Sequence, residues 1–214
     1  GSMELFHPFS QYVISIFLIL FGCNFSLYYL LLIGKVRDIL RSEEFKCYFL
    51  IISLAVACVF ISLVGRFEAF PQTYTTEEAF RHSLFQVASL ITTAGFTSTD
   101  YAVWPMLGKM SLVMVMFMGA MAGSTAGGIK ASRIIIALKG AYINVRKLIN
   151  PRYVPKAKFE DKGLEERTIN DVFAFITLYF FILIAVVFPA PLGPSNPYIE
   201  PRGTLSDTSS RAVC

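Results

Sequence analysis

The sequence predicts an all-α membrane protein in which a short re-entrant helix and an irregular segment lie between two long helices, the second of them broken. Hydrophobic residues make up 55% of the 214 residues and charged residues only 16%, whereas soluble domains carry about 25% charged residues. The hydrophobic residues also fall into long blocks, which is typical of membrane-spanning helices. A run of Gly, Ala, Ser and Thr interrupts one block, and this interruption predicts the break.

Four hydrophobic blocks are candidates for membrane spans. They are residues 12–33, residues 48–65, the interrupted block 106–138, and residues 172–188. The first block carries no charged side chain over a length sufficient to cross a bilayer, so buried helices of a soluble protein are a poor alternative. All four blocks also lack Asp, Glu and His. We therefore expect no enzyme, because an intramembrane catalytic centre would require ionisable side chains within the spans.

The distribution of basic residues indicates the orientation of the chain. Lys and Arg are concentrated in residues 34–46 and 139–167, and are almost absent from residues 1–11 and 66–104. Because basic loops stay on the cytoplasmic side, we expect a multi-pass protein of the cell membrane, inner or plasma, with the N-terminus of this chain outside. The net charge of +4 therefore indicates contact with membrane lipid and not with nucleic acid.

The outer segment 66–104 contains the helical pattern "TTEEAFRHSLFQVASLI". Its Thr and Glu residues favour a helix N-terminus, and the following hydrophobic residues predict a helix of roughly 13 residues, or about 20 Å. Such a helix is too short to cross a hydrocarbon core about 30 Å thick. The pattern fits either a re-entrant helix that stops midway through the membrane or an amphipathic helix on its surface.

The residues after this helix favour the re-entrant alternative. Residues 92–96, "TTAGF", combine small and hydroxyl side chains with a glycine, which lets the backbone extend. Irregular backbone at membrane depth is tolerated only where it is buried in protein or lines water, and cation filters use rings of backbone carbonyls. Because Pro105 then favours the start of another helix, the order helix, re-entrant helix, filter, helix is similar to a potassium-channel pore unit.

The break in the third block is the stretch "GAMAGSTAGGIK". As one straight helix, residues 106–138 would be about 50 Å long, which exceeds the bilayer core. Each glycine there lowers helix stability by roughly 1 kcal/mol relative to alanine, so we expect residues 122–128 to form an unwound loop, the glycine-rich loop. The alternative is a helix-packing face formed by Gly119 and Gly123. A phosphate-binding loop is a poor match because Ile129 occupies the position of its lysine.

These motifs resemble the Trk/Ktr family of potassium uptake proteins, whose members are similar to four fused channel-type repeats. The matching stretches are "FRHSLFQVASLITTAGFTSTDYAVWP", "FMGAMAGSTAGGIKASRIIIALK", "RKLINPRYV" and "FGCNFSLYYLLLIGKVRDILRSEEFKCYFLII", so the resemblance extends over about residues 10–188. The pairing of TTAGF with GSTAGGIK is its most specific part, and it suggests the third repeat of a Trk-type membrane subunit.

The resemblance implies a function and a set of site residues. One quarter of a potassium filter would consist of Thr92, Thr93, Ala94, Gly95 and Phe96, with potassium bound by the first four. The gate would be the glycine-rich loop, which consists of Ala122, Gly123, Ser124, Thr125, Ala126, Gly127 and Gly128. The implied activity is transmembrane uptake of potassium ion, without an organic cofactor. The implied assembly is a homodimer of the full-length protein, regulated by a cytosolic nucleotide-binding ring.

Three charged side chains near the expected pore each allow two interpretations. Asp100 lies just outside the filter, where its carboxylate would either concentrate cations or cap a turn. Lys130 and Arg133 follow the glycine-rich loop. They would either place positive charge near the inner pore or extend to the cytoplasmic interface.

The resemblance also divides the chain into segments. Residues 1–47 would be the last helix of a preceding repeat and a cytoplasmic loop, residues 48–138 one complete pore repeat, and residues 139–171 a basic cytoplasmic linker. Residues 172–188 would be the first helix of the next repeat, and the Pro- and Ser-rich residues 189–214 a disordered or non-native tail. The chain is thus expected to be a fragment of the full transporter. The alternative function is a non-transporting membrane scaffold, or truncated subunit, whose glycines serve only helix packing.

Overall fold

The computed structural model describes residues 3–65, 74–150, 158–160, 162–163 and 165–187. The helices are α1 Pro8–Phe21, α2 Phe25–Leu32, α3 Val36–Arg41, α4 Glu43–Val64, α5 Thr76–Ile91, α6 Met106–Phe117, α7 Ala131–Ile149 and α8 Glu166–Val187, with a 3₁₀ turn at Tyr101–Val103. Two short strands, β1 Lys158–Phe159 and β2 Lys162–Gly163, pair antiparallel. The predicted all-α class is confirmed. The expected tail 189–214 lies outside the described residues.

The chain divides into two compact units. Residues 1–176 form the first unit, and Thr177–Cys214 form the second, of which the structure describes only residues 177–187 at the end of α8. Within the described ranges, Glu43–Val64 and Glu166–Val186 are long and apolar enough to cross a membrane, and the bent pair α1–α2 is a third candidate span. These lengths agree with the expectation of a multi-pass membrane protein.

The first hydrophobic block is bent. The sequence predicts one span over residues 12–33, but the structure has two helices, α1 and α2, that meet at 94°. At the bend, Asn24 Oδ1 accepts a hydrogen bond from Ser26 N at 2.8 Å and caps α2. An N-cap asparagine pairs a backbone donor that helix geometry leaves free. It therefore stabilises a new helix start, which the hydrophobic pattern does not reveal.

Helix α4 begins before the hydrophobic block that predicts it. Ser42 Oγ accepts a hydrogen bond from Phe45 N at 3.3 Å, and Glu43 and Glu44 occupy the first turn. A serine cap followed by acidic residues favours a helix N-terminus, because the first backbone N–H groups are unpaired and carry partial positive charge. The sequence predicts a cytoplasmic loop at Glu44. This residue belongs instead to a long helix, where its side chain is buried.

Helix α5 lies at the centre of the first unit, in contact with α1, α4 and α6. It has 16 residues, and Val87 and Ile91 are fully buried in the same core as Tyr48 and Trp104. Because so short a helix is marginal by itself in water, its stability depends on the three helices that surround it. Burial on several sides is not what an amphipathic surface helix would show, so this finding favours the re-entrant alternative.

The third hydrophobic block is broken, as predicted. The non-helical interval is wider than the expected loop at residues 122–128. Helix α6 ends at Phe117 and α7 begins at Ala131, so residues 118–130 are non-helical. Met118 and Ile129 form a parallel bridge at the base of this interval. Helix α7 then continues to Ile149, into the segment that the sequence assigns to a linker.

Helices α7 and α8 pack closely at Gly140. A Cβ atom at this position would lie 2.5 Å from Ile169 Cγ2 and 3.1 Å from Phe173 Cε2. The absence of a side chain at Gly140 therefore allows the first half of α8 to approach α7 within ordinary packing distance.

Candidate ion-conduction site

The start of α5 is fixed by a capping box. Thr75 Oγ1 accepts a hydrogen bond from Glu78 N at 3.3 Å, and Glu78 Oε2 accepts from Thr75 N at 2.9 Å. The backbone N–H of Thr75, together with its hydroxyl, holds the pKa of the Glu78 carboxyl below its ordinary value. This reciprocal pairing satisfies two backbone donors at the helix start, so the N-terminal end of α5 is well anchored.

Polar side chains fix the rotation of α5 about its axis. Arg81 donates hydrogen bonds to the Gln11 side chain of α1 and, at 3.1 Å, to Glu77 Oε1. His82 Nδ1 lies 2.9 Å from Ser98 Oγ, beyond the C-terminal end of α5. Arg81, Gln11, His82 and Ser98 are all buried. Leaving such a group unpaired costs about 1–3 kcal/mol, so these pairs favour one orientation of the helix.

The chain leaves α5 through left-handed backbone. Thr93 has a φ of +57° and Gly95 a φ of +73°. Glycine adopts this conformation without steric cost, whereas threonine requires surrounding contacts to hold it there. Ser89 Oγ donates a hydrogen bond to Phe96 O at 2.7 Å. The last turns of α5 thus hold the far end of the candidate filter, residues 92–96.

The backbone carbonyl groups of the candidate filter are its potential ion ligands. Among the described residues, no donor forms a hydrogen bond with the carbonyl oxygens of Thr92, Thr93, Ala94 or Gly95. Three of these residues, Thr93, Ala94 and Gly95, are also exposed. Because a backbone carbonyl needs a polar partner, a run of four unpaired oxygens is suited to bind water or a cation.

The glycine-rich loop is closed at its base by direct backbone contact. Gly119 N donates a hydrogen bond to Ile129 O at 2.7 Å, and Ala131 N donates to Ala120 O at 3.1 Å. A Cβ atom on Gly119 would lie 2.2 Å from Gly127 O. Only glycine therefore allows the two limbs of the loop to approach this closely.

The glycine-rich loop also contacts the candidate filter and the bend between α1 and α2. Gly127 N donates a hydrogen bond to Thr93 Oγ1 at 3.0 Å, and Phe25 N donates to Gly123 O at 3.2 Å. The structure therefore brings together the two motifs that the sequence singles out, although they are 34 positions apart at this contact. It adds a third participant, the start of α2.

Comparison with known proteins identifies the family. The family model described as TrkH, cation transport protein, matches residues 1–190 of the chain. The chain belongs to the TrkH family. The Trk system potassium uptake protein TrkH of Salmonella typhimurium is 32% identical over 179 residues, which cover 83% of this chain and 36% of that protein. The Trk system potassium uptake protein TrkG of Escherichia coli K12 is 31% identical over 186 residues, which cover 82% and 37% of the two chains.

A solved structure agrees with this membership of the TrkH family. The crystal structure of the potassium transporter TrkH from Vibrio parahaemolyticus matches with a TM-score of 0.75 and 30% identity, over 87% of this chain and 39% of that chain. The chain thus spans somewhat more than a third of the length of these TrkH-family relatives. Their names describe membrane transport and not catalysis, which confirms the predicted family and the prediction that the chain is no enzyme.

The three charged side chains singled out in this TrkH-family chain make local contacts. Asp100 Oδ1 accepts a hydrogen bond from a backbone N–H of the 3₁₀ turn at 2.9 Å, so it caps that turn. Lys130 Nζ donates to Ala126 O within the glycine-rich loop. The guanidinium carbon of Arg133 lies 3.9 Å from the ring centroid of Phe175 in α8. Lys130 is thus part of the loop structure, whereas Asp100 and Arg133 do not contact the loop in these pairings.

The sequence interpretation misses the residue that contacts both the start of the glycine-rich loop and the start of α7. Glu44 Oε1 accepts hydrogen bonds from Ala122 N and Ser132 N. A signal is available, because the serine and glutamates before the second block favour a helix start there. His82 also has a contact that the sequence does not predict, since no local pattern connects it with Ser98, 16 positions away.

Proposed function

We propose that the native protein containing this chain takes up potassium ion across the cell membrane through a filter of backbone carbonyls. The run of unpaired carbonyl oxygens at Thr92, Thr93, Ala94 and Gly95 carries the proposal. In a filter, such oxygens replace the water molecules that surround an ion in solution. The names of the relatives, potassium uptake proteins, support potassium as the transported ion. No covalent chemistry and no organic cofactor are needed for this function.

A ring of carbonyls around an ion needs several such segments. In the proposal, residues 48–138 form one pore repeat, residues 1–47 the end of the preceding repeat, and residues 172–188 the first helix of the next. Residues 139–171 are the cytoplasmic linker, and the remaining filter segments belong to parts of the transporter other than this chain. The chain crosses the inner or plasma membrane several times, and its N-terminus faces the outside.

The glycine-rich loop is the proposed gate. Its residue Gly127 donates to Thr93 of the filter, so a displacement of the loop would change the surroundings of the ion path directly. Deletion of residues 122–128 is therefore expected to raise ion flux per protein and to weaken regulation. A fall in flux with regulation intact would identify the loop as structural.

The proposed partners follow from the family. Membrane lipid surrounds the helices, two copies of the full-length protein form a homodimer, and a cytosolic nucleotide-binding ring acts on the gate. The basic segment 139–167 would offer that ring, or anionic lipid, a docking surface. Asp100 would raise the local cation concentration outside the filter, while Lys130 and Arg133 would lie near the inner end of the pore.

The filter is tested by Gly95→Ser in the native protein, measured as potassium-dependent growth and as the preference for potassium over sodium. Gly95 has a φ of +73°, and a Cβ atom added to it would meet no atom within 4 Å, so the change strains the backbone without a steric clash. A non-glycine residue in this conformation costs about 1–2 kcal/mol. We expect uptake to be lost or its ion preference to broaden.

Gly34→Ser is the matched control. Gly34 has a φ of +81° and equally open surroundings, but it lies between α2 and α3 and not in the candidate filter. We expect this variant to transport like the wild type. If Gly95→Ser also leaves growth and ion preference unchanged, the transport proposal fails and the scaffold alternative gains support.

A further inference from the structure

We propose that Glu44 is a positioning residue for the gate, and that its carboxylate holds the glycine-rich loop against the start of α7. The inference rests on the proposed function, in which this loop is the gate. It adds a residue from a different helix, α4, to the structure that keeps the gate in place.

One oxygen atom of Glu44 connects the start of the glycine-rich loop with the start of α7. Glu44 Oε1 accepts a hydrogen bond from Ala122 N at 2.7 Å and another from Ser132 N at 3.2 Å. Ala122 is the first residue of the glycine-rich loop, and Ser132 is the second residue of α7. Glu44 is 4% exposed as a residue, so protein covers most of this contact.

The start of α7 needs such an acceptor. The first N–H groups of a helix have no partner within the helix, and its N-cap residue, Lys130, makes no side-chain capping bond. The helix N-terminus also carries partial positive charge, which a nearby carboxylate stabilises. Glu44 therefore caps the N-terminus of α7 in place of a capping side chain from α7 itself. The same oxygen atom also accepts the hydrogen bond from Ala122 N.

The position of Glu44 explains why the contact resists loop motion. Glu44 lies in the first turn of α4, and the next turns of that helix bury Tyr48 and Ile52 in the core. The carboxylate is thus attached to a fixed helix and not to a mobile segment. The loop can leave its place only by breaking the bond from Ala122, which is stronger than a neutral hydrogen bond because its acceptor is charged.

The neighbouring glutamate provides a matched control. Glu43 has the same charge and lies one position earlier, but its side chain is 45% exposed and forms an ion pair with Lys139 of α7. It forms no bond with the loop among the described residues. Substitution of Glu43 therefore removes an equal charge from the same helix start without releasing Ala122.

The first experiment measures flux by the native full-length protein in proteoliposomes, with rubidium or potassium ion as the probe. Glu44→Ala should raise the maximal flux per protein about tenfold, with the KM and the preference for potassium over sodium unchanged. Glu44→Gln, whose amide oxygen still accepts both bonds, should raise it about threefold and provides the test if Glu44→Ala does not fold. Glu43→Ala should behave as the wild type. Unchanged flux in both Glu44 variants, or a changed KM, overturns the proposal.

The second experiment follows backbone hydrogen exchange of the purified protein in detergent, in peptides that cover residues 118–132. Glu44→Ala should speed exchange there about tenfold, whereas Glu43→Ala should not. Faster exchange in a protein that transports neither ion would support the anchor and reject the proposed function. Exchange at the wild-type rate would reject the anchor while leaving transport through the filter intact. Faster exchange with reduced flux would also reject the proposal, because Glu44 would then stabilise the conducting position of the loop and not the obstructing one.

Discussion

Gly119→Ala is the most direct test of how the glycine-rich loop is closed. Gly119 is buried where the chain leaves α6, and its Cβ atom would lie 2.2 Å from Gly127 O, 3.0 Å from Gly128 C and 3.1 Å from Ile129 O. All three atoms belong to the returning limb of the loop and to its backbone. No side-chain rotation can relieve the overlap, so the limb itself must move.

The cost follows from these distances. An ordinary Cβ contact begins at 3.4 Å, so Gly127 O must move by about 1.2 Å, and overpacking of this kind costs roughly 1–3 kcal/mol. The movement also breaks the 2.7 Å bond from Gly119 N to Ile129 O, which adds roughly 0.5–1.5 kcal/mol. A total of about 1.5–4.5 kcal/mol shifts the loop equilibrium towards the displaced form by a factor of at least ~10.

The assay uses a cysteine placed at Ser124, which is half-buried in the loop, in a protein from which the native cysteines have been removed. Its rate of reaction with a membrane-impermeant thiol reagent reports how often the loop is displaced. Gly119→Ala should raise this rate by a factor of at least ~10. Gly127→Ala is the control, because its Cβ atom would lie 3.4 Å from Thr93 Oγ1, an ordinary contact.

Two results would refute the reasoning. The first is a labelling rate in Gly119→Ala equal to that of the wild type, which would mean that the closed base does not restrain the loop. The second is an equal increase in Gly127→Ala, which would mean that any added methyl group loosens the loop and that the close approach at Gly119 has no special role.

Three further predictions concern the contact between the candidate filter and the glycine-rich loop, the packing of α7 on α8, and the start of α5. Thr93→Val removes the acceptor for Gly127 N but keeps the branched shape, and the loss of about 1 kcal/mol should raise labelling of the same loop cysteine about fivefold. Gly140→Ala places a Cβ atom 2.5 Å from Ile169 Cγ2, so overpacking of roughly 1–3 kcal/mol should lower the thermal unfolding midpoint of the purified protein. Hydrogen bonds from Thr75 lower the pKa of Glu78 from 4.5. The stabilisation by Glu78 is therefore present above that pH and is lost as the pH falls through the lowered native pKa, so the unfolding midpoint should fall more steeply below pH 4.5 in the wild type than in Glu78→Gln.

Each of these predictions has its own control. Thr93→Ser keeps the hydroxyl and should label like the wild type, so equal rates for the serine and valine variants would contradict the role of the hydrogen bond. Gly163→Ala meets no atom within 4 Å and should not change the unfolding midpoint. If it lowers the midpoint as much as Gly140→Ala does, packing against α8 is not the cause. Parallel pH profiles for the wild type and Glu78→Gln would exclude the capping carboxylate as the source of pH dependence.

Features with a local signal could be predicted from the sequence. The Thr–Glu start locates α5 close to its observed beginning at Thr76, and the clustered glycines locate the break between α6 and α7. Such signals work because capping and helix propensity depend on residues within a turn or two of one another. Helix ends are predicted less accurately. Helix α4 begins at Glu43 and α7 continues to Ile149, because hydrophobic blocks do not report the polar turns that extend a helix.

The bend between α1 and α2 illustrates the limit of a hydrophobic pattern. Residues 12–33 carry no charged side chain, and hydropathy alone predicts one span. The structure bends the chain by 94° because Asn24 caps a second helix and because Phe25 N finds an acceptor in Gly123 O. The cap is local, but the second contact comes from a loop about a hundred residues later, which no window on the sequence includes.

By itself, the sequence determined the helical membrane class, the family, and the positions of the candidate filter and of the glycine-rich loop. These depend on composition and on contacts between near neighbours in the chain. Only the tertiary structure decided which groups meet in space. It paired Thr93 with Gly127, and Glu44 with Ala122 across 78 positions. Such pairings depend on how helices pack and rotate against one another, and that geometry results from the whole core.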